Sequence, residues 1–241
     1  MSDFIKTAQA EQAFEMCQAV LGARQYSKIG QITGDPGTGK SELTTWLAEE
    51  LDGVRVECWM DMGDKALLEE IALGLNAQGA SLDVTGTAPT LFRKIKAECR
   101  GKLILIDEAN QLKWPTLEKL RGLSDIGGAG LILAGTDILA KRLVEARVRV
   151  YLTQLRQRIG AKKVLMQPIT NDAELAAYVL APRFGAVTKG TAKRFRILSR
   201  GEWRSALELA DACERLMTNE SLDKIDERVV ETAAAWMAGR S

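Results

Sequence analysis

The chain has 241 residues, room for one large domain or a domain and a half. Apolar residues make up 46% and charged residues 27%, a globular balance that excludes disordered and fibrous classes. The net charge of +1 names no partner, and the absence of histidine excludes histidine acid–base work, histidine metal ligands and a Ser-His-Asp triad.

Residues 4–23 carry Ile5, Ala8, Phe14, Cys17 and Leu21 at roughly helical spacing, which predicts an amphipathic helix. Short apolar runs with β character follow at 29–33, 54–58, 103–106, 131–133 and 164–166. Helical patterns lie between them at 42–51, 65–76, 89–99, 116–123 and 138–146. Strands alternating with helices predict an α/β fold whose parallel sheet carries helices on both faces. Pro168 marks a boundary. Beyond it the chain reads as helices only, at 173–180, 191–198, 204–217 and 224–237, punctuated by Gly185, Gly190 and Gly201. The expected domains are therefore 1–168, α/β, and 169–241, a small all-helical domain.

Cys17, Cys58, Cys99 and Cys213 stand too far apart in sequence for a CxxC redox pair or zinc knuckle. Buried thiols in a reducing cytosol are expected. No apolar run approaches 18 residues, and the N-terminus lacks the basic-then-apolar order of a signal peptide. The expected location is cytoplasmic, with no membrane partner. Charge is unevenly spread. Residues 1–138 hold 14 basic and 20 acidic side chains, net −6; residues 139–204 hold 15 and 4, net +11; residues 205–241 hold 4 and 8, net −4. The middle segment suits a polyanion, either nucleotide phosphates or nucleic acid.

Gly34-Asp35-Pro36-Gly37-Thr38-Gly39-Lys40-Ser41 fits G-x-x-x-x-G-K-[ST], the Walker A pattern. Glycines let the backbone turn tightly and bring its N–H groups against phosphate oxygens. The following helix, including Glu42, points its positive end at the phosphates. Lys40 would reach the β/γ-phosphates, and the Ser41 hydroxyl would ligate Mg²⁺. The expected ligands are ATP and Mg²⁺.

Leu103-Ile104-Leu105-Ile106-Asp107-Glu108 is an apolar strand ending in two acids, with Asp107 lying 67 residues after Lys40. This is the Walker B order: Asp107 for Mg²⁺, and Glu108 as general base for the attacking water. Leu131–Thr136 is another apolar strand ending in a polar residue, and parallel-sheet enzymes place ligands at such ends. Thr136 has two compatible readings, a hydroxyl beside the γ-phosphate and a helix N-cap.

These motifs in this order resemble the AAA+ ATPases, within the P-loop NTPases. The run Asp107-Glu108-Ala109-Asn110-Gln111-Leu112, followed by 117–121 and Leu131–Thr136, is similar to one branch of that family. The branch holds the phage Mu B and Tn7-like transposition ATPases together with ATPases associated with general secretion. The resemblance implies a five-stranded sheet ordered 5-1-4-3-2 and a helical lid over the nucleotide. It also implies an arginine finger contributed to a neighbouring subunit, within Leu155-Arg156-Gln157-Arg158-Ile159. Arg158 is the first choice and Arg156 the second; an amphipathic helix with exposed arginines is the other reading of the stretch. Gly201-Glu202-Trp203-Arg204 resembles the lid element that reaches the same phosphates in cis, through Arg204.

The same resemblance implies homo-oligomerisation as a ring or helical filament, and basic loop residues facing duplex DNA. The candidates are Arg93, Lys94 and Lys96 before the carboxylates, and Lys113, Lys119 and Arg121 after them. Relatives such as Mu B begin with a helix-turn-helix domain, for which the stretch before Ile29 leaves no room, so DNA contact is expected from the ATPase body. Trp59 and Trp114 are expected to pack in the core. The expected function is a slow, assembly-stimulated, Mg-dependent ATPase that binds DNA with little sequence preference and recruits or activates a transposase. A helicase-loader or initiator-like ATPase and a protein-directed regulatory ATPase are the alternatives. If phage- or transposon-encoded, its compartment would be the bacterial host cytoplasm.

Overall fold

The computed structural model describes residues 4–239. Five strands form one sheet: β1 (Ile29–Gly34), β2 (Val54–Glu57), β3 (Leu103–Asp107), β4 (Gly130–Gly135) and β5 (Lys163–Met166). Their spatial order is β2-β3-β4-β1-β5, and every neighbouring pair is parallel. This is the 5-1-4-3-2 order read in the other direction. The register sets Ile29 opposite Leu131, and Glu57 opposite Asp107.

The sheet splits its apolar residues between two faces because side chains alternate along a strand. On one face Ile32, Leu103, Leu105, Ile132 and Val164 meet α1 (Ala8–Gly22), through Ala13 and Cys17, and α2 (Lys40–Glu50), through Leu43 and Leu47. On the other face Ile29, Val54, Ile104, Ile106 and Leu133 meet five helices. These are α3 (Asp64–Ala77), α4 (Ala88–Glu98), α5 (Trp114–Gly122), α6 (Asp137–Val144) and α7 (Thr153–Ile159). Each fully buried Leu or Ile here contributes about 1.5–3 kcal/mol. The central strands β3 and β4 are buried throughout and rich in Ile and Leu because both of their faces are covered, whereas the edge strands β2 and β5 alternate buried with more exposed residues. A wide π-turn, Leu123–Gly127, continues α5 toward β4.

The chain divides into two compact units. One comprises residues up to Asp35 with Lys40–Met166, and the other comprises Pro36–Gly39 with Gln167 onward. The second is helical from residue 172. Helix α8 (Asp172–Leu175), a π-turn at Ala176–Leu180 and α9 (Ala181–Phe184) run end to end; α10 (Lys189–Ser199), α11 (Trp203–Glu220) and α12 (Glu227–Ala238) follow. Its own core gathers Leu175, Leu180, Phe195, Leu209, Cys213, Leu216 and Val230. All four cysteines are free and buried. Trp59 departs from its expected core place: it is 52% exposed in the loop after β2. Trp114 lies half-buried at the start of α5, stacked on Tyr151 with ring centroids 4.4 Å apart. Among the described residues no helix is long and apolar enough to cross a membrane.

Candidate nucleotide site

Gly34 closes β1 and Lys40 opens α2, so residues 34–41 form the turn from strand to helix. Gly37 and Gly39 have φ of 82° and 86°, left-handed values that a side chain disfavours. Lys40 is 6% exposed. Its Nζ donates to the carbonyls of Gly34 (2.9 Å) and Asp35 (2.8 Å). Burial lowers the Lys40 pKa from its ordinary value, and Glu108, Asp107 and Asp35 act in the opposite direction. Ser41 and Glu42 are exposed in the first turn of α2.

Asp107 ends β3 and is fully buried. Its Oδ1 accepts from the Glu108 N–H at 2.9 Å. Its Oδ2 accepts from Arg55 Nη2 at 2.7 Å and from the Thr44 hydroxyl at 3.3 Å. The single Thr44 hydroxyl proton is shared with the closer Ser41 carbonyl, at 3.0 Å, and this three-centre contact ties the first turn of α2 to the β3 carboxylate. Glu108 sits at φ 51°, ψ 36°, a left-handed conformation that costs a non-glycine residue of the order of 1 kcal/mol. That turn takes the chain out of the strand and into the short helical turn Ala109–Gln111.

Asn110 joins two of the expected positions. Its Nδ2 donates to Glu108 Oε2 at 3.2 Å, and its Oδ1 accepts from the Thr136 N–H at 2.9 Å. A Cβ on Gly135 would lie 2.4 Å from that Oδ1, so β4 must end in glycine here. Arg142, on α6, donates to the carbonyls of Asn110 (2.8 Å) and Leu112 (2.6 Å) and so fixes the turn that carries Asn110. Thr136 stands at the N-cap position of α6, yet its hydroxyl makes no capping bond. That hydroxyl is buried without a hydrogen-bond partner. A buried polar atom left alone in this way suits a ligand or an ordered water.

The residues fit a nucleotide and its metal: a glycine-lined turn, a buried amine, a hydroxyl at Ser41, an acid at Asp107 and an orphaned hydroxyl at Thr136. Three further expected residues are arginines on α7 and α11. Arg156 and Arg158 lie on α7. Arg158 Nε donates to Asp125 Oδ1 at 3.0 Å, and its guanidinium lies 5.1 Å from the Tyr26 ring centre. Arg156 is half-buried and makes no ion pair among the described residues. Arg204 is exposed in the first turn of α11, and its backbone N–H donates to the carbonyl of Gly37, in the glycine turn, at 3.5 Å.

Four of the six basic candidates for DNA are engaged by carboxylates. Lys94 meets Asp83 at 2.8 Å, Lys119 meets Asp64, and Arg121 meets Glu118 at 2.8 Å and Asp125 at 2.5 Å. Lys113 stands 3.9 Å from Asp61, both highly exposed. Arg93 and Lys96 make no ion pair among the described residues. Sequence reasoning missed Arg55, Asn110 and Arg142. Asn110 stood next to the acid pair, but its role depends on β4 lying beside β3.

A family model described as an AAA domain matches residues 23–143. The Mu-like prophage FluMu DNA transposition protein B of Haemophilus influenzae is 28% identical over 148 residues, 58% of this chain. The match spans 48% of that protein, about half its length. A Staphylococcus aureus protein described as a potential ATP-binding protein is 24% identical over 96% of this chain and 95% of its own length. Among solved structures, ORC2 of Aeropyrum pernix superposes with a TM-score of 0.70 at 16% identity, covering 98% of this chain and 70% of its own. The RuvB branch migration motor of Thermotoga maritima gives 0.56 at 18%, covering 97% and 70%. These structural likenesses share the fold: a five-stranded parallel sheet flanked by helices. With half of its length matched by the family model, the chain belongs to the AAA domain family.

Proposed function

We propose that this protein is an ATPase that assembles on duplex DNA and regulates transposition by recruiting or activating a transposase. The observation that carries the ATPase reading is one hydrogen-bonded path. It runs from the Ser41 carbonyl through Thr44 to Asp107, on to the Glu108 amide, and from the Glu108 carboxylate through Asn110 to Thr136. In this reading the amides of residues 34–41 and the Lys40 amine hold the phosphates. Ser41 and Asp107 would hold Mg²⁺, which neutralises charge on the phosphate oxygens. Glu108 accepts the proton of the attacking water, and the Thr136 hydroxyl donates to the γ-phosphate or that water. An arginine of α7 serves a neighbouring subunit, and Arg204 serves its own. The reaction is ATP plus water to ADP plus phosphate.

The transposition reading is supported by the similarity to a transposition protein B of a Mu-like prophage. It is tested by binding to random-sequence duplex with ATP, with ADP and without nucleotide, at two salt concentrations, with the mixtures imaged by electron microscopy. Assemblies on DNA that need ATP and weaken with salt are the expected result. A protein-directed ATPase is the second reading, favoured by the carboxylates that already occupy Lys94, Lys119 and Arg121. The absence of DNA binding in all three states would select it.

A further inference from the structure

Arg55 is the residue in this site that the ATPase reading leaves without a task. It lies on β2, at the edge of the sheet, two residue pairs before the level at which Glu57 faces Asp107. Alternation along the strand sends Arg55 and Glu57 to the same face. The Arg55 guanidinium has three partners: Nη2 is 2.7 Å from Asp107 Oδ2 and 3.1 Å from Glu57 Oε2, and Nε is 3.0 Å from the Thr44 hydroxyl. The two carboxylates differ in setting, because Asp107 is wholly buried whereas the Glu57 side chain is 63% exposed. The Arg55 side chain itself is 22% exposed.

Both oxygens of Asp107 are therefore occupied, Oδ1 by the Glu108 amide and Oδ2 by a fixed cation. A divalent ion approaching Asp107 meets a positive charge already in contact with its carboxylate. Like charges a few ångströms apart in a partly buried site repel strongly. Glu57 offers the guanidinium a second, solvent-facing partner within reach. We propose that Arg55 is a gate on the metal-holding carboxylate: it neutralises Asp107 in the metal-free protein and is given up to Glu57 when a divalent cation is bound. Arg55 thereby weakens the hold of Asp107 on the Mg²⁺ that accompanies a bound nucleotide. This inference rests on the reading of Asp107 as the metal-holding residue of a nucleotide site.

The experiment measures affinity for a fluorescent ATP analogue with saturating Mg²⁺ and again with EDTA. The ratio of the two affinities reports how strongly metal and nucleotide are coupled, without reference to turnover. Arg55→Gln keeps a donor toward Asp107 and removes the charge, and the ratio should rise about tenfold or more. Glu57→Gln removes the negative charge of the second partner and so favours Arg55 on Asp107, and the ratio should fall below that of the native protein. This second variant changes an exposed side chain, so it tests the gate even where Arg55→Gln does not fold. An unchanged or lower ratio in folded Arg55→Gln, or an unchanged or higher one in Glu57→Gln, would overturn the gate. A native protein that binds the analogue under neither condition would instead overturn the nucleotide-site reading, and the gate with it.

Discussion

Arg158 is tied to Asp125 of the same chain, at 3.0 Å, by a carboxylate that is only 4% exposed. Arg121 holds the other oxygen of the same carboxylate at 2.5 Å. An arginine that must reach a neighbouring subunit has to leave such a pair, and leaving a buried carboxylate half-neutralised is unfavourable. Arg156, two residues earlier on α7, makes no ion pair among the described residues. Arg158→Ala should therefore lower stability by about 1–3 kcal/mol, seen as an earlier thermal melt. Arg156→Ala should leave the melt unchanged and abolish the rise in turnover with protein concentration. The opposite pattern would make Arg158 the finger and Arg156 a surface residue.

The loop and the acid pair make separable predictions. Lys40→Ala removes the buried amine of the turn and should abolish nucleotide binding, measured by titration calorimetry. Glu108→Gln keeps size and hydrogen bonding but cannot accept a proton. It should bind ATP with near-native affinity and lose about 10²–10⁴ in turnover. Retained affinity in the first variant, or native hydrolysis in the second, would place the phosphate contact or the base elsewhere.

The strand and helix order was legible because buried parallel strands read as short apolar runs bounded by turns. β3, at Leu103–Asp107, extends its expected run by one residue. The turn at residues 34–41 was legible because its chemistry is local, set by glycines, a lysine and a serine in one stretch. Helix α7 was visible only as an alternative reading of an arginine-bearing stretch. It spans seven residues, with Leu155 and Ile159 as its buried positions. Arg55 and Asn110 were not legible at all. Arg55 meets Asp107 only because β2 lies beside β3, and Asn110 meets Thr136 only because β4 follows β3 in the sheet. The ion pairs of the basic candidates were hidden for the same reason: the carboxylates that engage Lys94 and Lys119 lie 11 and 55 residues away.

Asn110 is a positioning residue for Glu108 in this reading, and Gly135 leaves it the room. Asn110→Ala should lower turnover about 10–100-fold while nucleotide affinity stays within about twofold, because the phosphate contacts lie on another loop. Gly135→Ala forces the Asn110 amide away and should give the same split between turnover and affinity. The double variant should be no worse than Asn110→Ala alone, since the clash disappears with the amide. Full turnover in both single variants would mean that Glu108 holds its position without help.

The four thiols predict how stability varies with pH. Burial pushes Cys17, Cys58 and Cys213 up to about 12 and Cys99 to about 11, from an ordinary value near 9. In the unfolded chain these thiols lose their protons near pH 9, while in the folded protein they keep them. The unfolded state thus binds fewer protons from about pH 9 to about pH 12, and stability falls as pH rises through that window. Below pH 9 the contribution is fully present. The urea midpoint should therefore drop clearly between pH 8 and pH 10.5. A thiol-specific reagent at pH 8 should label no cysteine in the native protein and all four after denaturation. Rapid native labelling of Cys58, which follows β2 beside the acid pair, would show that the loop after β2 opens and that the Arg55 partners are exposed with it.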